Sequence, residues 1–168
     1  VVAAYANHFD NSFHFDDSHV IQDNLAIRSL ANLPRFFTDA STFSALPDHP
    51  TYRPLLSATY AVDYALADGL DPTWFHISQL FFHLLVGFGL FLVFKAVMDR
   101  ARPDTDNRLV ALFAALWFCV HTANTETVNY LSARSDILST LGVVASLAAY
   151  LHVPASRRAH LYLLPMLI

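Results

Sequence analysis

The stretch WFHISQLFFHLLVGFGLFLVFKAVM, residues 74–98, decides the fold. At ~1.5 Å per residue, about 25 residues of helix reach ~37 Å, enough to cross a ~30 Å hydrocarbon core with tilt. Lys95 can snorkel out at its end. The flanking linker, Asp99 to Arg108, is charged and holds Arg100, Arg102, Asp104 and Asp106.

Further apolar runs follow. Leu109 to Val120 alone spans only ~18 Å. It crosses only by borrowing from His121–Tyr130, which brings His121, Asn124 and Glu126 to a depth where polar groups need a wet or protein-lined cavity. Ile137 to Val153 makes a third run, with Asp136 at its edge, and a fourth starts near Leu161. The expected spans are 74–98, 109–131, 136–153 and a truncated 161–168. Both chain ends lie in hydrophobic sequence and no initiator Met is present, so the chain is expected to be a piece of a larger polytopic protein.

Composition agrees. Of 168 residues, 55% are hydrophobic and 14% charged, with a mean hydropathy of +0.38. An ordinary soluble domain is about 25% charged. The aromatic share of 14% excludes disorder. A net charge of −4 argues against a nucleic-acid partner, which calls for a basic face. The single cysteine, Cys119, excludes a disulfide framework and a cysteine zinc site. There is no internal repeat, no Walker loop, no GxSxG elbow and no GxGxxG. The fold class is all-α: a polytopic transmembrane helical bundle preceded by a large loop.

Residues 1–73 form that loop, and residues 74–168 the membrane part. The loop is acidic, with Arg28, Arg35 and Arg53 as its cations, and prolines 34, 47, 50 and 54 divide it. The pattern predicts an amphipathic helix over 22–37, with Leu25, Leu30, Leu33 and Phe37 near one face. A second is predicted over 54–67, with Pro54 in its first turn. Such helices suit a membrane surface. Lys95, Arg100, Arg102, Arg108, Arg157 and Arg158 mark the loops after the first and third runs as cytoplasmic. Residues 1–73 and 121–135 then share the periplasmic or lumenal face of a multi-pass protein, in a bacterial inner membrane or the endoplasmic reticulum.

Four groups of residues could carry chemistry. Asp16 and Asp17 are adjacent carboxylates that could tune one another as base or cation ligand, or simply form a solvated turn. His121 and Glu126, continuing to Arg134 and Asp136, are costly at a membrane edge unless used or paired, for instance Glu126 with Arg134. His8, His14, His19, His76 and His83 could hold a metal, with His76 and His83 seven apart on one side of a helix, but no tightly spaced pair is present and interfacial or hydrogen-bonded roles suit them better. Arg53, in Thr51-Tyr52-Arg53-Pro54, suits bidentate binding of a phosphate, or pairing with an Asp of its own loop.

In order along the chain stand Phe15-Asp16-Asp17, Tyr52-Arg53-Pro54-Leu55, Trp74-Phe75-His76 with His83, Val120-His121-Thr122-Ala123-Asn124-Thr125-Glu126-Thr127-Val128, and Ala133-Arg134-Ser135-Asp136-Ile137-Leu138. This ordered set resembles the membrane part of the transmembrane and tetratricopeptide-repeat protein O-mannosyltransferases and their bacterial relatives, which are GT-C-type glycosyltransferases. One departure is His121-Thr122, where the family has His-Pro.

The resemblance implies a fold and a reaction. A GT-C-like bundle would transfer a sugar, mannose in that family, from a polyprenyl-phosphate donor to a protein Ser/Thr or other hydroxyl acceptor. Asp16 and Asp17 would be the catalytic carboxylates, with Asp16 favoured as base. Arg53 and Arg134 would hold the donor phosphate. His19, His76, His121 and Glu126 would line the cavity. No resident metal is implied, though a divalent cation is compatible with the acid pair. The partners would be the lipid-linked sugar, the protein acceptor and the bilayer. The fragment alone is expected to be inactive. Two other readings stay open on the residues: a non-catalytic membrane anchor for a repeat domain, and a transporter or flippase subunit in which His121 and Glu126 titrate with transport.

Overall fold

A computed structural model describes residues 1–47 and 51–153. The expected run at 161–168 and the Arg157–Arg158 loop lie outside them. Among the described residues every regular element is helical, and the chain is an all-α membrane protein. Its α-helices are α1 (Leu33–Phe36), α2 (Pro54–Leu66), α3 (Pro72–Ala101), α4 (Arg108–Cys119), α5 (Thr125–Asn129) and α6 (Arg134–His152). Two helical stretches, Pro72–Ala101 and Leu131–His152, are long and apolar enough to cross a membrane; α4 with residues 122–129 makes a third if that broken pair crosses as one.

The helix boundaries follow from local chemistry. Pro54 opens α2, where its missing N–H costs nothing. After α2 the chain reverses through Asp68 (φ 53°) and Gly69 (φ 145°), and the Gly69 amide returns to the Tyr64 carbonyl. That φ suits glycine alone. Asp71 Oδ1 accepts from the Thr73 amide at 3.0 Å and Pro72 opens α3, giving the long helix a capped start.

Two expected helices are interrupted. The 22–37 segment is not one amphipathic helix but short turns at Leu25–Arg28 and Leu30–Asn32 followed by α1. Asn24 and Ser29 cause the break, because their side chains accept from the amides of Ala26 and Ala31 and hold the chain extended there. Leu25, Leu30 and Phe37 are left exposed, and Ile27 and Phe36 are buried instead. Likewise 109–131 is not continuous: α4 stops at Cys119 and His121 adopts an extended backbone (ψ 135°). His121 Nδ1 accepts from the Ala123 amide, and Asn124 Nδ2 donates to the Phe118 carbonyl at 2.6 Å. These bonds satisfy backbone groups that the break would leave bare.

The described chain forms two compact units. The first comprises Val1–Ala4, Phe81–Thr125 and residues 136–153. Its core is Val86, Ile137 and Val144, with Phe82, Leu90, Val93, Phe118 and Leu141 packed around them. Small residues permit close helix approach. A β-carbon on Gly87 would overlap Cys119 Sγ, and one on Gly89 would stand 2.5 Å from Val144 Cγ1. His83 Nε2 donates to the Cys119 carbonyl at 3.0 Å, where α4 ends.

The second unit comprises Tyr5–Leu80 and Glu126–Ser135. There α2 packs against α1 and the turns Leu25–Arg28, Leu30–Asn32 and Ala40–Phe43. Leu56, Tyr60 and Ala61 of α2 are buried, as are Ile27, Phe36 and Phe43. Asn24 fastens the loop, its Nδ2 donating to the carbonyls of Val20, Thr42 and Phe43.

Candidate active site

The acid pair lies in the second unit. Phe15, just before it, adopts φ 49°, a left-handed conformation that a β-carbon disfavours. The two carboxylates that follow have opposite environments. Asp17 is buried. Its Oδ2 accepts from the His14 amide at 3.0 Å, and its Oδ1 from the Ser132 amide and hydroxyl at 2.9 and 2.6 Å. Burial pushes its carboxyl above the ordinary range, although these three donors pull the other way. Asp16 is exposed, and His19 Nε2 stands 3.6 Å from its Oδ1. His19 is steadied by Ser44, whose Oγ lies 2.9 Å from Nδ1. The backbone amide of Asp16 donates to the Tyr130 hydroxyl at 3.2 Å.

The segment between α5 and α6 therefore grips both acids, Asp16 through Tyr130 and Asp17 through Ser132. Neither residue carries a local signal in the sequence, although both lie between Glu126 and Arg134. Beside the grip is a cleft of ≈ 570 Å³, with Phe15, Tyr130, His14 and Glu126 in its wall. Glu126 thus lines a cavity, and His19 faces Asp16.

Arg134, expected beside a phosphate or paired with Glu126, is instead enclosed. It is fully buried and donates to Asp63 Oδ2 at 2.5 Å, Gln79 Oε1 at 2.9 Å, Thr59 Oγ1 at 3.3 Å and the Phe75 carbonyl at 2.8 Å. Its guanidinium lies 4.7 Å from the Tyr60 ring centroid. Ser78 also donates to Asp63, at 2.7 Å. Burial raises the Asp63 carboxyl, opposed by Arg134 and Ser78, and raises the Tyr60 phenol as well. Tyr60 donates to the Leu131 carbonyl at 2.7 Å, while Gln79 Nε2 donates to the carbonyls of Thr127 and Tyr130. This buried network fixes the backbone that carries Tyr130 and Ser132.

The other expected site residues have their own local partners. His76 is fully buried; its ring meets His8 edge-on at 4.4 Å, and its carbonyl is 2.9 Å from His8 Nε2. His121 belongs to the first unit, where it caps the turn after α4. Arg53 is exposed, lies over the Phe43 ring at 5.5 Å and donates to Ser135 Oγ at 3.4 Å. No group of three or more His, Cys, Asp or Glu among the described residues forms a metal-type cluster.

No protein-family model and no solved structure matches the chain. Curated proteins do. The chain is 28% identical over 158 residues to the human protein O-mannosyl-transferase TMTC4, a match covering 89% of this chain and 21% of that protein. It is 29% identical over 153 residues to human TMTC3, covering 89% and 16%. To Drosophila melanogaster Tmtc1 it is 32% identical over 150 residues, covering 88% and 16%. The chain spans only 16–21% of the length of these relatives. Over nearly nine-tenths of its own length, the chain is similar to proteins named as TMTC protein O-mannosyl-transferases.

Proposed function

We propose that this chain is the acid-bearing membrane part of a glycosyltransferase. The whole protein transfers a sugar, mannose, from a polyprenyl phosphate to a hydroxyl of a protein acceptor. One observation carries the reading: the adjacent acids are divided into a buried, fully bonded Asp17 and an exposed Asp16 beside a cleft. Pairs of acids with such different surroundings serve different roles. The names of the relatives support the reaction class.

In this reading Asp16 is the base. As the acceptor oxygen bonds to the anomeric carbon, its proton passes to the Asp16 carboxylate. The bond from that carbon to the phosphate oxygen breaks, and the electron pair leaves on the phosphate. Arg53, exposed at the first turn of α2, offers that phosphate a cation. His19 orients the Asp16 carboxylate. Asp17 positions the loop. Lys95, Arg100, Arg102 and Arg108 support a topology with the linker after α3 on the cytosolic side and the acid pair on the periplasmic or lumenal side of a multi-pass protein.

The experiment is transfer of radiolabelled mannose from polyprenyl phosphate by the full-length protein in membranes. Wild type is expected to label protein, and Asp16→Asn to lose labelling while keeping its expression and thermal stability. Equal transfer by Asp16→Asn would overturn the assignment of the base.

A further inference from the structure

We propose that the cleft beside the acid pair is a binding subsite for a neutral hexopyranose ring, with Phe15 as its stacking platform and Glu126 as its hydroxyl acceptor. The inference rests on the glycosyltransferase reading and names where the sugar sits.

Phe15 carries the argument. It is 86% exposed, the most solvent-exposed aromatic side chain in the second unit, and its backbone is in the left-handed region. An aromatic ring in water and a strained backbone are both unfavourable, and here they coincide in one residue beside a cavity. Strain held at a cavity wall is a mark of a binding site. The Tyr130 ring meets Phe15 edge-on, with centroids 6.1 Å apart and planes at 89°, so the platform is braced. The C–H face of a pyranose packs on such a surface.

The rest of the lining matches the hydroxyl edge of the same ligand. Three amides, Asn7, Asn11 and Asn129, line the cleft with Glu126. Amides and a carboxylate supply the donors and acceptors that neighbouring hydroxyls need. Asn129 is pre-oriented, since Asn11 Nδ2 donates to its Oδ1 at 3.0 Å and His8 Nδ1 lies 3.2 Å from the same atom. Glu126 is exposed in the first turn of α5, and no hydrogen bond or ion pair engages its carboxylate among the described residues.

Charge decides which part of the donor enters. The lining holds one carboxylate and neither Lys nor Arg. A phosphate would be repelled by Glu126, whereas a neutral ring would be hydrogen-bonded by it. The volume of ≈ 570 Å³ falls within the range of about 300–1,000 Å³ of small-molecule sites. Phe15 also places the ring beside Asp16, the next residue, whose amide is tied to Tyr130.

The test is saturation-transfer NMR on the full-length protein in detergent micelles, with methyl α-mannopyranoside and methyl α-glucopyranoside as probes. Wild type is expected to saturate the ring protons of at least one glycoside. Phe15→Ala should reduce the signal at least fivefold, Phe15→Trp should retain it, and Glu126→Gln should weaken it. Because Phe15 is exposed, the alanine variant leaves the core intact; its thermal midpoint checks this. Binding should persist in Asp16→Asn, which separates this subsite from the base.

No signal in wild type, or a signal indifferent to Phe15, would overturn the subsite, even where transfer depends on Asp16. A Phe15-dependent signal from a serine-containing peptide, with none from either glycoside, would also overturn it and assign the cleft to the acceptor. Phe15-dependent glycoside binding in a protein that transfers nothing would support the subsite and overturn the transferase reading.

Discussion

Ser132 donates both its amide and its hydroxyl to one oxygen of Asp17, at 2.9 and 2.6 Å, across 115 positions of chain. This double bond of donors joins the acid-bearing loop to the segment that opens α6. Together with the Tyr130 hydroxyl that holds the Asp16 amide, it lets residues far along the chain set where Asp16 stands.

Ser132→Ala keeps the amide donor and removes the hydroxyl. A hydrogen bond to a charged group is worth about 1.5–3 kcal/mol. Transfer is therefore expected to fall ~10-fold, chiefly in kcat, with the KM for the lipid donor little changed. Ser132→Thr should recover most of it. A change confined to KM would show that Ser132 touches the donor instead of positioning the loop.

Arg134→Leu strands Asp63 without its cation in a buried site. Breaking a buried pair in this way costs about 3–5 kcal/mol. The thermal midpoint of the detergent-solubilised protein should drop accordingly. The double variant Arg134→Leu/Asp63→Leu should recover a substantial part, since no charge is then left unpaired. If the double variant is no better than the single, packing by the guanidinium outweighs the charge pair.

The raised Asp17 carboxyl gives stability a pH dependence of known sign. The folded state binds the proton more tightly than the unfolded state does. This contribution is complete below the ordinary value of 3.8 and is lost as pH rises through the higher folded value. Subtracting the stability curve of Asp17→Asn from that of wild type should leave a difference that declines from pH 3.8 toward neutrality. A flat difference would mean that the Ser132 and His14 donors offset burial completely.

Gly89→Ala places a β-carbon 2.5 Å from Val144 Cγ1. Overpacking of this kind costs about 1–3 kcal/mol. Val144→Ala in the same chain should relieve it, so the double variant is expected to melt above the Gly89→Ala single. Additive losses would show that the helices shift apart without regard to position 144.

Arg53→Ala should lower kcat/KM for the lipid-phosphate donor about 100-fold, the scale for removing one group that stabilises developing negative charge. Arg53→Lys should recover only part, because an ammonium lacks the bidentate fork. An unchanged dependence on donor concentration in Arg53→Ala would move the phosphate elsewhere.

The sequence makes some of this architecture legible and hides the rest for physical reasons. The long α3 is readable because its apolar run exceeds the membrane thickness, and α2 because Pro54 announces its start. The interruptions at Asn24, Ser29 and His121 are not, because a polar side chain that caps a backbone looks the same in sequence as one that faces water. Asp16 and Asp17 are visible as a pair. Their division is set by the backbone of Phe15 and by Ser132, which no local pattern connects to them. Arg134 suggests a partner nearby in Glu126, yet the fold supplies Asp63 from α2, because burial selects partners by space and not by sequence distance.

The close seat of Cys119 against Gly87 has a practical side. The thiol of the single cysteine in this stretch is buried, beyond the reach of a water-borne alkylating reagent. This part of the chain should therefore behave as a cysteine-less background. A cysteine placed beside Phe15, and another in the linker near Asp104, would each report by labelling from one side of a sealed vesicle which compartment it occupies, with no native signal from this region to subtract.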